Sequence, residues 1–376
     1  MPKSYDVAAY IWPAYSGKDP RSRLFWPEGM GEWQTVKGAV KKFPGHTWPR
    51  KPLWGYVNEA DPLVMEMEIN CAADHGVTVF IYDWYWYDGR PFLEDCLNDG
   101  YLKAKNNDRV RFYLMWANHN AEFLWDIRNS DANDGTIWQG KTTPGEFEII
   151  GDRLIDRYFH HPSYYTIEGK PVFMIYDPAN FIDGLGGVTG AKKALDRFRE
   201  KAVKSGLPGL HLQLTGYGDR VDFSHTGVDG SAVSTTKDLA ETLGFDSVTN
   251  YQFVHITNIK RSYRDLLTDI EGIYRKSGEQ YRHYFPHVSV GWDNNPRFVE
   301  PLDYVLTDNT PGNFEEALTV AKAYVDGHPN QAPLITINSW NEWTETSYLE
   351  PDDRYGYGYL EAIRRVFLDH IYHINP

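Results

Sequence analysis

The chain has 376 residues, and none of its apolar runs reaches the roughly 18 residues of a membrane-spanning helix. Its formal net charge of −14 argues against a nucleic-acid partner, whose phosphates require Lys and Arg. With only two cysteines, it is neither a disulfide scaffold nor a Cys-rich zinc protein. Barrels of alternating strands and helices hold this many residues in one unit, so we expect residues 1–376 to form a single catalytic domain.

The predicted elements alternate between strands and helices. Short apolar or β-branched runs bounded by turn residues predict eight strands, at residues 7–12, 78–84, 110–116, 171–176, 210–215, 247–251, 287–290 and 334–340. Capping residues, prolines in first turns and closing glycines predict helices at residues 61–75, 144–159, 191–205, 237–243, 262–281, 313–326 and 359–370. A vaguer helix is predicted at residues 91–97.

Eight strands with helical crossovers form either a closed parallel barrel or a doubly wound open sheet. Eight is the strand number of the barrel, and no Gly-x-Gly-x-x-Gly follows the first strand, as an open dinucleotide-binding sheet would favour. We therefore predict an α/β fold, a (β/α)8 TIM barrel. The long connection at residues 13–60 follows the first strand, so it should cover the active face of the barrel.

Aromatic residues make up 15% of the chain, with 13 Trp and 26 Tyr. One interpretation is a large core with additional surface tyrosines. The other is a carbohydrate-binding cleft, where flat rings lie against the apolar faces of sugars. Many of the aromatic residues follow predicted strands instead of lying inside elements, which favours the cleft.

Polar and aromatic residues follow nearly every predicted strand, and in a barrel these strand ends meet at one mouth. A lone residue such as Asp83 or His119 is also explained as a helix cap or as a loop side chain with its own partner. Taken together, the strand-end residues predict a substrate site. Its predicted members are Tyr10, Trp12, Asp83, Trp84, Tyr85, Trp116, Asn118, His119, Tyr251, Trp292, Asp293, Arg297, Asn341, Trp343 and Tyr348.

The last predicted strand leads into two carboxylates three residues apart, Glu342 and Glu345, which lie among tryptophans. Two acids in an aromatic cleft are what hydrolysis of a glycosidic bond requires. The competing interpretation, in which these acids cap the last helix, does not explain the crowding of two acids and two tryptophans after an apolar strand. We predict Glu342 and Glu345 as the catalytic residues.

Motifs for other chemistries are missing from the sequence. No His, Asp or Glu spacing predicts a metal site, and neither a Gly-x-Ser-x-Gly elbow nor a phosphate-binding loop occurs. We therefore predict neither a metal nor a cofactor.

Four segments together resemble the WbsX-type proteins, a group similar to the family 99 endo-α-mannosidases: residues 82–89, 115–119, 291–297 and 338–345. The resemblance extends from about Tyr10 to Pro351. In family 99, an Asn-Glu-Trp-x-Glu run after the last barrel strand holds both catalytic acids. The resemblance thus implies that Glu342 is the base for the sugar 2-hydroxyl, on a retaining path through a 1,2-anhydro sugar. It implies that Glu345 is the acid for the leaving oxygen and then the base for water.

One position departs from the family. The hydrolases usually continue with Gly after the second acid, whereas this chain has Thr346. Such a change bears on the subsite beside the acid and so on mannose specificity.

Three functions follow from these patterns. The first is hydrolysis of an α-linked, mannoside-like glycan, with an oligosaccharide or polysaccharide as the partner molecule. The alternative is a glycosyltransferase of polysaccharide biosynthesis, a label that WbsX-type proteins often carry; the absence of Asp-x-Asp and the predicted barrel favour hydrolysis. A non-catalytic sugar-binding protein is the third, although it gives no role to two acids.

The sequence also bears on location. No signal peptide precedes the first strand, which predicts the cytoplasm, or the periplasm or exterior if a leader has been trimmed.

Overall fold

Eight parallel strands form a nearly closed barrel in the computed structural model, which describes residues 4–126, 128 and 135–369. The strands neighbour one another in chain order, and the last strand pairs with the first. They are β1 (Asp6–Ile11), β2 (Val79–Tyr87), β3 (Arg111–Trp116), β4 (Lys170–Ile175), β5 (His211–Thr215), β6 (Ser247–Thr249), β7 (His287–Ser289) and β8 (Leu334–Asn338).

The barrel closes between β6 and β7 through a single isolated bridge. The Phe285 amide donates to the Val248 carbonyl at 3.0 Å, and the Val248 amide donates to the His283 carbonyl at 3.0 Å. On the other side, Ala9 of β1 pairs with Ile337 of β8. The predicted TIM barrel and its eight strands are confirmed.

The strands are almost continuously buried because helices cover their outer side and side chains fill the interior. β2 is longer than predicted, since it continues into an antiparallel pair with a short strand, Arg90–Phe92. Asp88 and Gly89 connect the two with φ values of 52° and 71°. A two-residue turn with positive φ at both positions fits the twist of a hairpin, which explains the Asp-Gly sequence.

The helices between the strands begin at the capping residues that the sequence indicates. Thr143 forms a capping box with Glu146, and the Asp61 side chain accepts from the Leu63 amide. The helices are α1 (Trp33–Gly38), α2 (Pro62–Asp74), α3 (Pro144–Leu154), α4 (Pro178–Gly184), α5 (Val188–Lys204), α6 (Thr236–Leu243), α7 (Tyr263–Gln280), α8 (Pro311–Gly327) and α9 (Gly358–Phe367).

Several short elements complete the fold. The helix predicted at residues 91–97 is wrong, because this stretch holds the end of the Arg90–Phe92 strand and the start of a π-helical turn, Cys96–Gly100. A second π-helical turn, Ile155–Phe159, extends α3 to the predicted end. Two helices, α1 and α4, are not predicted from the sequence, and the predicted end of the last helix, His370, lies outside the described residues. Across the described part of the chain, we find no helix with the length and apolar character needed to cross a membrane.

The long connection after β1, residues 13–60, lies over the carboxyl ends of the strands and is called the roof loop below. Its Glu32 side chain reaches Arg297 in the loop after β7, with 2.8 Å between Oε1 and Nε. Its Trp48 indole donates to Thr346 Oγ1 beyond β8 at 2.7 Å. The predicted cover over the active face is confirmed.

Candidate active site

The two predicted acids lie in a compact ribbon directly after β8. Asn341–Glu342 pairs with Ser347–Tyr348 in an antiparallel manner, and a short 3₁₀ turn, Trp343–Glu345, joins them. We call residues 338–350 the acid segment. The Glu342 and Glu345 side chains are only 6% and 10% exposed, and both face the Arg297 guanidinium at the barrel mouth.

Arg297 is the shared counter-charge of three buried carboxylates. Its Nη1 lies 2.7 Å from Glu345 Oε1, and its Nη2 lies 3.7 Å from Glu342 Oε1. Its Nε donates to Glu32 Oε1 at 2.8 Å. Glu32 is fully buried and Arg297 nearly so, so the contact between these two side chains is held away from water. One cation and three acids in a low-dielectric site favour the retention of at least one proton on the acids. We call these four residues the Arg297 cluster.

Glu342 is surrounded by groups that favour its ionised form. Tyr251 donates to Glu342 Oε2 at 2.9 Å, and the Asn338 amide donates to the same oxygen at 3.2 Å. Burial raises the pKa of Glu342, whereas Arg297 and the Tyr251 hydrogen bond lower it. The opposing effects leave Glu342 with the smaller rise of the two acids.

The surroundings of Glu345, in contrast, favour its protonated form. Burial, followed by repulsion from Glu342, raises the pKa of Glu345 well above the ordinary value of a glutamate, despite the contact with Arg297. Its Oε2 is buried and finds no hydrogen-bond donor among the described residues. The carboxyl group therefore combines a retained proton with one oxygen free for another molecule.

Asp83 at the end of β2 adds a further acid. Its Oδ2 lies 3.0 Å from the Tyr251 hydroxyl, which also contacts Glu342. Burial and the Glu342 charge raise the pKa of Asp83 well above its usual range. A hydroxyl has one hydrogen to donate, so a protonated Asp83 donates to Tyr251 while Tyr251 donates to Glu342.

Aromatic rings form a wall around these acids. The Tyr251 ring lies edge-on to Tyr176, with 5.1 Å between centroids. Tyr85 lies 5.6 Å from Trp12 and 5.7 Å from the His119 ring. Burial lowers the pKa of His119, so the ring is neutral and presents a hydrogen-bonding edge.

A cavity of about 370 Å³ begins at Tyr176 and extends over the ends of β4 and β5. Tyr217 and His255 line it, and Asp177 and His225 approach each other to 3.3 Å at its rim. A volume of this order fits a small ligand. Because Tyr176 also contacts Tyr251, the cavity adjoins the acids through a wall of two tyrosines.

The structure brings six of the predicted binding residues to this mouth: Trp12, Asp83, Tyr85, His119, Tyr251 and Arg297. Tyr10 lies directly beneath Tyr251, fully buried, with 4.8 Å between ring centroids. Trp292 is partly buried in the loop after β7. Asp293, in the same loop, accepts from the Asn295 amide and lies 2.8 Å from His46 Nε2.

Two predicted tryptophans lie on the outer side of the barrel instead. Trp84 donates to Glu94 Oε1 at 2.7 Å, and Trp116 packs against Phe147 of α3 at 5.8 Å. Side chains alternate along a strand, so Trp84 must face the helices when its neighbours Asp83 and Tyr85 face the interior. Neither tryptophan reaches the mouth.

The remaining predicted residues hold loops together. The Asn118 side chain bonds both the amide and the carbonyl of Asp177 at 2.7 Å. Asn341 accepts from the Trp12 amide at 2.8 Å. Trp343 and Tyr348 stack on each other at 3.8 Å in the core behind the acids. These side chains shape the site without facing it.

Glu32 and Tyr176 belong to the site but are not among the predicted members. Tyr176 follows β4 directly and is one of the strand-end residues that the sequence indicates, although it is not among the predicted members of the substrate site. Glu32 lies inside the roof loop, 265 residues before Arg297, and no local signal marks it.

Thr346 stands where the family hydrolases usually have glycine, and the backbone conformation at this position explains why glycine is usual. Its φ of 57° lies in the left-handed region, where glycine is favoured. Its hydroxyl accepts from the Trp48 indole at 2.7 Å and donates to the Asp293 carbonyl at 3.1 Å. These bonds offset the strain and turn the threonine side chain toward the roof loop.

A second group of three acids lies behind the acid segment, and we call it the rear cluster: Glu59, Glu68 and Glu350. One carboxylate oxygen of each lies within 4.8 Å of the others. Glu59 and Glu68 are fully buried, and Glu350 is 2% exposed. None of the three is predicted from the sequence, because they come from the roof loop, α2 and the acid segment.

A parallel barrel with buried acids and aromatic rings at its carboxyl-terminal mouth is an architecture that glycoside-active enzymes use. The chain belongs to the WbsX family: the family model described as "Glycosyltransferase WbsX" matches residues 7–363. The resemblance found in the sequence is confirmed, and the family is a carbohydrate-related one.

The chain is also similar to two curated proteins. Two curated proteins from strains of Xanthomonas campestris pv. campestris, both named "Uncharacterized protein WxcX", are 26% identical over 349 residues, covering 92% of this chain and 47% of theirs. The chain thus spans about half the length of the curated relatives it matches.

Among solved structures, the GH99 endo-alpha-mannosidase from Bacteroides thetaiotaomicron superposes with a TM-score of 0.55 and 16% identity, covering 96% of this chain and 95% of that one. A protein described as "Glycoside hydrolase-like protein" superposes with a TM-score of 0.59 and 13% identity, covering 97% and 94%. At these identities the similarity shows the fold.

Proposed function

We propose that this protein is a glycoside hydrolase that cleaves an α-linked, mannoside-like glycan with retention of configuration. The observation that carries the proposal is the unequal pair at the mouth. Glu345 has a strongly raised pKa and an oxygen without a donor, while Glu342 is held by Arg297 and Tyr251. Two carboxyls whose environments separate their pKa values are suited to act as acid and base.

In the first step, Glu342 takes the proton of the sugar 2-hydroxyl as O2 forms a bond to C1. The bond from C1 to the leaving oxygen breaks, and Glu345 gives its proton to that oxygen. In the second step, Glu345 takes a proton from water as the water oxygen bonds to C1. The C1–O2 bond of the anhydro sugar breaks, and O2 recovers its proton from Glu342. Both groups return to their starting states.

The substrate class rests on the wall and on the neighbouring structure. Trp12, Tyr85 and His119 pack together as an aromatic wall at the mouth, the kind of surface on which a sugar ring stacks. The cavity beyond Tyr176 has room for an additional sugar unit. The endo-alpha-mannosidase of similar fold supports an α-mannoside-like glycan.

The test is an activity screen of the protein on bacterial, plant and fungal polysaccharides, followed by Glu342→Gln and Glu345→Gln variants on the best substrate. Each variant should still bind the oligosaccharide in calorimetry, and its turnover should fall by about 10²-fold to 10⁴-fold. NMR of the first product should show retained anomeric configuration. Glu316→Gln, an exposed change on α8, is the matched control. Near-normal turnover by either active-site variant would reject the assignment.

The family's description as a glycosyltransferase favours a second candidate, transfer of a sugar from a nucleotide donor. Calorimetry with nucleotide sugars, with and without a divalent metal, separates the two. Tight, metal-dependent binding together with absence of hydrolysis would favour transfer.

A further inference from the structure

The rear cluster buries three acids from distant parts of the chain around one point. Glu59 ends the roof loop, Glu68 lies in α2, and Glu350 lies at the end of the acid segment. One oxygen of each lies within 4.8 Å of the others. No ion pair between described residues includes any of the three, in contrast to the Arg297 cluster.

The hydrogen bonds to these acids come from neutral donors of the acid segment. The Asn341 amide donates to both oxygens of Glu59, at 2.9 and 3.0 Å. The Trp340 indole donates to Glu68 Oε2 at 3.0 Å, and the Trp343 indole donates to Glu350 Oε2 at 2.5 Å. Two indoles and one amide satisfy hydrogen bonds without balancing charge.

Two oxygens of the cluster are left over. Glu68 Oε1 and Glu350 Oε1 are buried and have no hydrogen-bond partner among the described residues. An ionised carboxylate out of water costs several kcal/mol unless it is paired, so three of them require compensation from protons or a cation.

The geometry points to a cation. Hard divalent ions prefer carboxylate oxygens, and Ca²⁺ holds them at about 2.3–2.6 Å, which sets ligand oxygens at most about 5 Å apart. The observed limit of 4.8 Å fits this span. We propose that the rear cluster is a binding site for one hard divalent cation, best matched by Ca²⁺, with Glu59, Glu68 and Glu350 as ligands.

Such an ion would act on the acid segment through its ligands. Each ligand also accepts a hydrogen bond from Trp340, Asn341 or Trp343, the residues that flank Glu342. The cation would therefore fix the backbone that carries the two mouth acids without touching a substrate. This role is structural, and it does not depend on the reaction proposed above.

The competing explanation is that bound protons, and not a cation, neutralise the three buried acids. Without a cation, burial raises the pKa of Glu350 to about 8 and those of Glu59 and Glu68 well above the ordinary glutamate value. A cluster held by protons binds no metal, and a neutral glutamine can replace a protonated glutamate in it at little cost. The two explanations therefore differ in measurable ways.

The first measurement uses the unaltered protein. Mass spectrometry of the purified protein, after dialysis against Ca²⁺ and removal of free metal, should show about one equivalent bound. Chelation should lower the Tm, and Ca²⁺ at about 100 times its Kd should restore it by about 3 °C. Added Tb³⁺ should luminesce on excitation of tryptophan, because Trp340 and Trp343 contact the ligands. A chain that binds no metal, with a Tm unmoved by Ca²⁺ or Mg²⁺, overturns the proposal.

Two variants on α2 localise the site. Glu68→Gln should abolish the Ca²⁺-dependent rise in Tm and the Tb³⁺ signal. Glu66→Gln, a surface-facing change two residues away, should retain both. An unchanged Ca²⁺ response in a folded Glu68→Gln variant would place the ion elsewhere and overturn the assignment. None of these readouts requires a glycan, so they succeed or fail separately from the proposed hydrolysis.

Discussion

The three glutamates of the Arg297 cluster, the front triad, and the three of the rear cluster, the rear triad, lie on opposite sides of the acid segment, yet their surroundings differ. The front triad shares a guanidinium and keeps a narrow opening to solvent, with 6% and 10% of the Glu342 and Glu345 side chains exposed. The rear triad receives only neutral donors and is closed. The comparison teaches that the counter-charge and the opening, more than the acids themselves, separate a reactive triad from a supporting one.

The largest expected effect on this difference between the triads comes from removing the Arg297 guanidinium. Arg297→Gln leaves three buried carboxylates without a cation, so we expect a loss of about 3–5 kcal/mol in the free energy of unfolding. Urea denaturation measures the loss, and glycan turnover should vanish with it. Arg354→Gln, an exposed arginine, is the control.

A double variant sharpens that prediction. Adding Glu342→Gln to Arg297→Gln removes the ionised carboxylate of the pair, so part of the lost stability should return. If the double variant is as unstable as the sum of the two single variants, charge balance is not what holds the front triad.

The pH dependence of turnover is the next largest effect. Glu345 must carry a proton, so activity is present below its raised pKa and is lost as the pH rises through it. Glu342 must be ionised, so activity is lost as the pH falls through its own raised pKa. The two apparent pKa values of the bell-shaped kcat/KM profile belong to the pair and should both exceed an ordinary glutamate value.

A substrate with a fluoride leaving group separates the two limbs of this profile. Fluoride departs without a proton, so the alkaline limb should vanish, and Glu345→Gln should retain the first step on that substrate. A persistent alkaline limb with the fluoride would assign the limb to another group.

The smallest expected effects come from single hydrogen bonds to each triad. Tyr251→Phe removes the donor to Glu342 and should lower kcat/KM by about 10-fold to 100-fold. Trp340→Phe removes the donor to Glu68 and should cost about 1–3 kcal/mol of stability, with a smaller effect on turnover. Equal effects of both changes on turnover would erase the distinction between the two triads.

Most of the fold could be predicted from the sequence because its strands and helices are marked by local sequence signals. The β-branched runs and caps such as Thr143 and Asp61 depend on near neighbours, so strands and most helices emerged within a few residues of their bounds. The alternation of side chains along β2 also separates Trp84 from Asp83, because neighbouring residues of a strand face opposite sides of the sheet. The helix predicted at residues 91–97 is wrong because it overlaps the second strand of a hairpin, Arg90–Phe92, which the Asp88-Gly89 turn indicates.

The site was harder to predict because its decisive partners meet only in three dimensions. Strand-end reasoning selected Arg297, Tyr251, Glu342 and Glu345, and the structure places them together because the barrel geometry brings strand ends to one mouth. It could not find Glu32 or the rear cluster, whose members lie in the roof loop, in α2 and beyond β8. No spacing rule connects such positions.

The roof loop has a consequence for anyone who reshapes this protein. Loops over barrel mouths are common targets for shortening when a wider groove is wanted. Here that operation would remove Glu32, the residue whose Oε1 lies 2.8 Å from the Arg297 Nε atom, and free the guanidinium to clamp Glu342 and Glu345 more tightly. A more open entrance would thus come with a more acidic, less reactive pair, so trimming has to be matched by a compensating change in charge.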